Sequence, residues 1–320
     1  MHWEYAHYRE RVPTAKCWLL IDPAIYDPAD QLDIDPSLKE KRHPIAWQNP
    51  NLVPDHRPYL VELDLDKHAG DELLKASLEL AAGDWSPDAN IHGAGHSVCG
   101  WIFSGRDLAA AASHLGAMAV QARTLESGTA TRTLLRFWDP STLPMLWEIL
   151  DPLQRSVLLG PIDAWRIVDR FGTLRKFEAS VAAKENHASR EQLRLQSRQW
   201  LAIQNIGAIN GALIELASDA CDRSGSVIKQ VQTSLMRARS AGIHDLQDLQ
   251  AFAKHAFLTA PHFDQHTKVK VALGDLPTMK YYRAVVGNFT VHDWETIRLD
   301  CLENLAMFKE LEKQNDTKLY

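Results

Sequence analysis

The sequence predicts an α/β protein: an N-terminal lobe with a mixed β-sheet and flanking helices, followed by an all-helical C-terminal lobe. The first half of the chain alternates short apolar runs with helical patterns, whereas from about residue 170 apolar residues recur at spacings of three and four. At 320 residues the chain is long enough for about two domains. We therefore predict one domain over residues 1–172 and a second over residues 173–320.

Short apolar runs in the first half have the length and the residue types of strands. They are Cys17–Ile21, Tyr59–Leu63, Trp101–Phe103, Leu134–Trp138, Val157–Leu159 and Trp165–Val168. The order of these strands in the sheet does not follow from the sequence.

Signals for helix ends place helices between and after these strands. Ser104 followed by Asp107 predicts a helix that runs to about Ala122, and Asp139 with Pro140 predicts one that runs to about Leu150. In the second half we expect helices from near Ser189 to Leu216, over Val227–Ala241, over Asp245–Thr259, and from a capping box of Thr290 and Asp293 onward. The polar stretch 184–190 is the candidate linker or exposed helix start.

Charge and cysteine usage restrict the class of protein. Lys and Arg total 35 against 41 Asp and Glu, a formal net charge of -6, which argues against a protein that coats nucleic acid or anionic membrane. Cys17, Cys99, Cys221 and Cys301 are scattered with no CxxC pair, which is typical of a reduced compartment. No signal peptide or membrane-spanning apolar run is evident. We expect a cytoplasmic protein.

The common catalytic motifs are missing from the sequence. It has no GxGxxG after the first strand, no GxxxxGK[ST] phosphate loop, no GxSxG nucleophile elbow and no HExxH metal helix. The common motif-bearing enzyme classes are therefore disfavoured, and we expect no cofactor and no metal.

One local cluster keeps an enzyme as the alternative. His92, His96 and Cys99 carry two imidazoles and a thiol within eight residues, and these groups are preferred zinc ligands. However, the stretch also contains Gly93 and Gly95, and no fourth ligand lies nearby in the sequence. We favour a loop, with a metal-dependent hydrolase using His92, His96 and Cys99 as the alternative function.

A charged residue inside an apolar run needs a partner. Arg136 lies within the run Leu134–Trp138, where a buried guanidinium requires a carboxylate. Asp139 and Asp163 are the predicted partners, in an ion pair that fixes the corner between a strand and the next helix.

The segment that follows this arginine carries a family resemblance. The run Arg136-Phe137-Trp138-Asp139-Pro140, then Gln154, then Gly160-Pro161 resembles the type VI secretion effector-adaptor family, the Tap or TEC proteins. Leu19–Asp22, Pro58–Val61 and Gly100–Ser104 are similar to that family in the same order. The resemblance covers about residues 15 to 170. The chain departs from the usual pattern at Trp138, where the family has Tyr, and at Ser141, where it often has a basic residue.

The resemblance implies an adaptor chaperone that does not catalyse a reaction. Such a protein binds a cognate toxin effector in the cytosol and helps to load it onto the VgrG spike, through the C-terminal region of VgrG or its PAAR tip. Neither nucleic acid nor a membrane span is implied. The match to the family is weaker in the second lobe, as expected if that lobe selects the cargo.

The ten tryptophans are candidates for either core or cargo contact. Trp18, Trp101 and Trp165 lie in strand-like runs and are expected in the core. Candidate cargo-binding residues are Trp200 and Trp294 on helical stripes, and Trp47 and Trp85 in polar or Pro-rich segments.

Overall fold

The fold was analysed in a computed structural model of the chain. The structure describes residues 1–24, 26–28, 40–45, 56–86, 95–124, 129–179, 192–217 and 225–316. The chain divides into two compact units, Met1–Ile203 and Gln204–Tyr320. The first combines a β-sheet with helices and the second is mostly helical, which confirms the predicted fold class.

The elements of the first unit alternate along the chain. Its helices are α1 (His2–Arg11), α2 (His68–Gly83), α3 (Leu108–Ala119), α4 (Leu143–Ile149) and α5 (Pro152–Leu159). Its strands are β1 (Lys16–Ile21), β2 (His43–Pro44), β3 (Tyr59–Leu63), β4 (Val98–Ser104), β5 (Val120–Thr124), β6 (Ala130–Leu134), β7 (Ala164–Val168) and β8 (Leu174–Phe177).

Six of these strands form one sheet in the order β2-β3-β1-β4-β7-β8. Each strand pair of this sheet is antiparallel. The central strand β1 places Leu19 between Val61 of β3 and Trp101 of β4. The two remaining strands, β5 and β6, pair with each other as a separate antiparallel ribbon.

The sheet has apolar side chains on both faces. Its first face packs against α1 and α2, with Tyr5, Leu74, Trp101 and Phe103 among the buried residues. Because side chains alternate along a strand, Trp18 and its register neighbours Ile102 and Trp165 share the opposite face. Trp18, Trp101 and Trp165 are all fully buried, as predicted.

Two predicted strands are wrong. In the run Leu134–Trp138 only Leu134 belongs to a strand, since β6 ends there and the chain then turns. Val157–Leu159 is the last turn of α5, whose start has a capping box in which Asp151 accepts from the Gln154 N–H and Gln154 accepts from the Asp151 N–H. Both runs are apolar because they are buried, and burial alone does not distinguish a strand from a helix or a turn.

Two predicted helix starts are displaced. The cap of α3 is Asp107, which accepts from the Ala110 N–H at 2.7 Å, whereas the Ser104 hydroxyl accepts from the Arg106 N–H before the helix begins. The helix predicted at Asp139 begins at Leu143, because Asp139 uses its carboxylate to close a turn on Ser141.

The helices of the second unit largely follow the predictions. They are α6 (Ser197–Ala217), which starts in the first unit, α7 (Gly225–Ser240), α8 (Leu246–Leu258), α9 (Thr267–Gly274), α10 (Leu276–Met279), α11 (Tyr282–Val285) and α12 (Val291–Asp316). Asp245 caps α8, and the capping box of Thr290 and Asp293 is confirmed in both directions. The predicted start at Ser189 and the stretch 184–190 lie outside the described residues.

The first compact unit continues past residue 172. Strand β8 pairs with β7, and the Gln154 side chain donates to the carbonyl of Leu193, so both segments belong to this unit. The division of the chain into domains between residues 172 and 173 stays a prediction. Within the described part of the chain, no helix is both long enough and apolar enough to cross a lipid bilayer.

Candidate functional site

The segment Arg136–Pro140 forms a compact turn between β6 and α4. The Thr142 N–H donates to the Asp139 carbonyl at 2.8 Å, which closes the turn before the helix begins. Phe137 and Trp138 are fully buried, and the Phe137 ring lies edge-on to Trp165 with centroids 6.0 Å apart. The two aromatic residues therefore anchor the turn in the core beneath the sheet.

Asp22, at the end of β1, joins this turn to the sheet. Its Oδ2 accepts from Arg136 Nη2 and from the Trp138 indole N–H, both at 2.7 Å, and its Oδ1 accepts from the Ala24 N–H at 3.0 Å. The carboxylate is 2% exposed, whereas the Arg136 side chain is 41% exposed. The hydrogen-bonded partner of Arg136 is Asp22 at the end of β1, and not the predicted Asp139 or Asp163. The charge of Asp139 also attracts this guanidinium, so Asp139 is a secondary partner.

Asp139 carries the second carboxylate of the cluster. Its Oδ1 accepts from the Ser141 N–H and hydroxyl at 2.7 Å and lies 3.4 Å from His96 Nδ1. Burial acts to raise the pKa of Asp139, but hydrogen bonding and charge attraction from His96, together with the Ser141 hydrogen bonds, lower it to about 2. This carboxylate is therefore an anion at neutral pH.

A third carboxylate, Asp84, follows α2. It accepts from the Tyr26 hydroxyl at 2.7 Å and from the Ser97 N–H at 3.1 Å, next to the point where the Asp22 N–H donates to the Ser97 carbonyl. Burial raises the pKa of Asp84, while the hydrogen bond from Tyr26 opposes that shift. The start of β4 is thus held between the ends of β1 and α2.

Trp85 and His96 complete this group of residues. Their rings contact each other with centroids 3.9 Å apart, and the Trp85 indole N–H donates to the Val168 carbonyl at 2.9 Å. The guanidinium of Arg170 lies 5.6 Å from the Trp85 ring centroid, and burial lowers the pKa of Arg170 to about 10. We call Asp22, Asp84, Trp85, His96, Arg136, Trp138 and Asp139 the carboxylate cluster.

Gly160 and Pro161 lie at the end of α5, outside the carboxylate cluster. Gly160 has a φ of 53° and ends the helix, and a Cβ there would lie 2.3 Å from the His114 imidazole. Only glycine fits this approach without strain. The Pro161 carbonyl accepts from the Ser104 hydroxyl at 2.8 Å, which joins the turn to the end of β4.

The predicted cargo-binding tryptophans occupy different environments. Trp200 on α6 is 5% exposed beneath the Arg123 guanidinium and therefore presents little surface. Trp294 on α12 is half-buried, with its ring 4.1 Å from that of His255 and 5.2 Å from that of Phe289. Trp85 is half-buried in the carboxylate cluster, and Trp47 lies outside the described residues. The prediction that these residues contact cargo stays a prediction.

The proposed ligands of the alternative hydrolase are described only in part, because His92 lies outside the described residues. Cys99 is fully buried in β4, and its Sγ lies 3.8 Å from the Ser97 carbonyl oxygen. Burial raises the pKa of this thiol well above its ordinary value, and the Asp22 charge adds to the shift. Since zinc binds the thiolate, this environment disfavours Cys99 as a ligand. Among the described residues, no group of three His, Cys, Asp or Glu could hold a metal ion.

The central role of Asp22 was missed from the sequence. Its chain position, directly after a buried strand and before Pro23, marks the end of β1 but does not reveal which later residues approach it. The cluster connects four positions that are far apart in the chain, at residues 22, 84, 96 and 136–139. Its carboxylates are occupied by hydrogen bonds that fix the backbone of three elements to one another.

A family model matches part of this unit. No curated protein and no solved structure matches the chain significantly. Residues 17–157 match the model of a family described as a domain of unknown function, DUF4123. The matched segment includes the whole carboxylate cluster and ends inside α5. The part of the chain that carries the cluster is therefore similar to this family.

Proposed function

We propose that the protein is a cytoplasmic type VI secretion adaptor that binds a cognate toxin effector and helps to load it onto the VgrG or PAAR tip of the spike. The observation that carries the proposal is the overlap between the family match and the carboxylate cluster. Arg136, Trp138 and Asp139 of the adaptor-like motif all contribute hydrogen bonds to it, inside the matched residues 17–157.

The chemistry of the carboxylate cluster favours a structural role over a catalytic one. Asp22 accepts three hydrogen bonds and Asp139 accepts two, so neither is an open general base. A carboxylate with a pKa of about 2, as in Asp139, is also a weak proton acceptor at neutral pH. We therefore propose a protein that acts by binding.

Exposed apolar side chains of the second unit support a role for this unit in binding cargo. Large apolar side chains are exposed along its helices, including Val291 at 88%, Val271 at 70% and Met236 at 68%. Recognition of a partner with exposed apolar surface requires such side chains with polar residues around them. We propose that this unit selects the effector.

Co-purification tests the binding function directly. The chain is co-expressed with a toxin encoded beside its gene, inactivated at its catalytic residue, and separately with the C-terminal region of the spike protein. The proposal predicts stoichiometric complexes that survive gel filtration. Failure to bind any neighbouring gene product contradicts it.

Metal analysis of the same purified chain addresses the alternative function. Near-stoichiometric zinc that disappears in the His92→Ala and His96→Ala variants favours a metal site. The matched control is His68→Ala, an exposed histidine on α2 that lies away from the cluster.

A further inference from the structure

The two edges of the six-stranded sheet differ. The β2 edge is two residues long and contains Pro44, which has no N–H to offer another strand. The β8 edge is four residues long and contains no proline. Among the described strands, β8 pairs only with β7, so its outer edge lacks a partner there.

The register of the β7–β8 pair shows which backbone groups face this open edge. At the turn, the Asp169 N–H donates to the Thr173 carbonyl at 2.9 Å, so this pair is hydrogen-bonded. Because hydrogen-bonded and non-hydrogen-bonded pairs alternate in an antiparallel ladder, Val168–Leu174 and Arg166–Lys176 are non-hydrogen-bonded pairs. The N–H and C=O groups of Leu174 and Lys176 therefore point away from β7, toward the open edge.

A hollow lies beside each of these two residues. The hollow at Leu174 has a volume of about 450 Å³ and is largely apolar, with Leu74, Leu78, Ala82 and Val168 in its walls. Its walls come from α2, from the end of β7 and from Met1 and His2 at the start of the chain. It has room for an aliphatic side chain and its neighbours.

The hollow at Lys176 is smaller and charged. It has a volume of about 320 Å³, and its walls include Trp3, Tyr8, Arg11, Phe103 and Arg166. Trp3 is 76% exposed and stacks on His7, so its ring stands at the rim as an apolar contact. Since Leu174 and Lys176 are two residues apart, their side chains lie on the same face of the sheet.

The charge of the second hollow favours an acidic occupant. Its basic residues Arg11, Arg166 and Lys176 outnumber its acidic residues Glu4 and Glu178. Glu178 contacts both Arg166 and Lys176, and Glu4 contacts Arg166. No carboxylate of the described residues lies within ion-pair distance of Arg11, which is exposed at the rim. A carboxylate entering this hollow would pair with Arg11 and Lys176.

We propose that β8 binds an extended peptide segment of a partner protein as an additional strand of the sheet. The segment carries an apolar side chain over the Leu174 hollow and an acidic side chain, two residues away, over the Lys176 hollow. Main-chain hydrogen bonds supply affinity and the alternate side chains supply specificity. A second copy of this chain is a poor occupant, because Arg175 and Lys176 of two β8 strands would repel. The inference is independent of the adaptor function.

The test uses the full chain and a fluorescent octapeptide in which threonine alternates with valine and glutamate. All its valines and glutamates lie on one face of a strand, so it suits either strand direction. Binding is measured by fluorescence anisotropy, with a control peptide in which lysine replaces glutamate. The proposal predicts saturable binding of the acidic peptide and at least about fivefold weaker binding of the basic one.

Three variants separate the contribution of the β8 backbone from that of the charged side chains. Lys176→Pro removes an outward N–H without removing a ladder bond to β7, so it should weaken binding more than Lys176→Ala, which keeps that N–H. Arg11→Glu changes an exposed helix residue and leaves the strand intact. It should weaken binding of the acidic peptide at least about fivefold. Circular dichroism checks that each variant is folded.

Three results overturn the proposal. The first is no saturable binding up to about 1 mM peptide. The second is binding that Lys176→Pro and Arg11→Glu leave unchanged. The third is a dimer in light scattering that Lys176→Pro converts to a monomer, since the edge is then occupied by a second copy.

Discussion

The α/β unit and the helical unit differ in how many of their large apolar side chains are exposed. Among the described residues, four such side chains are exposed in Met1–Ile203, and ten are exposed in Gln204–Tyr320, although the second unit is the smaller. The first unit buries Trp18, Trp101, Trp138 and Trp165 completely. The family match lies wholly within the first unit.

This difference is the one expected if the first unit is a rigid scaffold and the second unit carries a binding surface. In the first unit, buried carboxylates accept hydrogen bonds from neighbouring elements and fix them in place. In the second, more large apolar side chains are left exposed, as the proposed effector-binding surface requires. A shared scaffold with a variable binding unit is what the adaptor proposal requires.

The largest effect on stability is expected at Asp22. Replacement by Ala removes the Asp22 acceptor of the buried Trp138 indole N–H and the carboxylate that pairs with Arg136, at a cost of about 3 kcal/mol. Asp22→Asn keeps an oxygen acceptor and should cost less. Urea denaturation measures the loss. Amide hydrogen exchange should become faster in β1 and β4 of the Asp22→Ala variant. An equally large increase of the exchange rate in α8 would contradict a scaffold confined to the first unit.

The corresponding position in the helical unit is Asp248. Its carboxylate is 1% exposed and accepts from the backbone N–H groups of Tyr282 and Arg283, so it holds α11 against α8. Asp248→Ala should cost about 2 kcal/mol, because it leaves the buried Tyr282 N–H unpaired. The helix cap Asp245→Ala is the matched control, with a loss of about 1 kcal/mol. Equal losses of unfolding free energy in the two variants would show that the Asp248 carboxylate stabilises only its own helix and does not hold α11 against it.

Acid should weaken the two units in different pH ranges. Burial, with the nearby Lys254 charge, lowers the pKa of His255 to about 4, so the unfolded chain binds this proton first as pH falls from about 6.5. The helical unit should lose about 1–2 kcal/mol by pH 5. Asp139, with its pKa lowered to about 2, contributes stability that is fully present above about pH 4 and is lost only below it.

The His255→Gln variant isolates this effect. Gln does not titrate, so the variant should lose less stability than the wild type between pH 7 and pH 5 in urea denaturation. Identical pH slopes would mean that His255 takes up protons equally in the folded and unfolded states over this range, which contradicts a lowered pKa in the fold.

The smallest effect on stability is expected at the exposed apolar residues. Val271→Ser and Met236→Ser should change the free energy of unfolding by less than about 0.5 kcal/mol. Effector binding, followed by calorimetry, should nevertheless weaken, by about tenfold for a central contact. Leu134→Ser, at an exposed position in the first unit, is the control. Weaker effector binding in this control alone would assign cargo recognition to the α/β unit.

The helices and strands could be predicted from the sequence better than the contacts between their side chains. β1, β3, β4 and β7 were found because short apolar runs, here of three to five residues, are typical of buried strands. The run Leu134–Trp138 is also mainly apolar, but after Leu134 it forms a turn, because its aromatic side chains pack in the core while Arg136 reaches Asp22. That contact joins residues 114 positions apart, and no local pattern encodes it.

The helix at Pro152–Leu159 was within reach of sequence reasoning. Asp151, Pro152 and Gln154 form a start signal, and the apolar run that follows was nevertheless interpreted as a strand. The candidate site was predicted in part. The motif residues Arg136–Pro140 were identified by resemblance, whereas Asp22, Asp84 and Trp85 join them only through the folding of the sheet.

Secretion of the effector in the organism that carries the gene tests the central claim most directly. Deleting the gene for this chain should abolish secretion of the toxin encoded beside it, while the spike protein is still secreted. The wild-type gene should restore toxin secretion. Unchanged toxin secretion in the deletion strain would contradict the adaptor function.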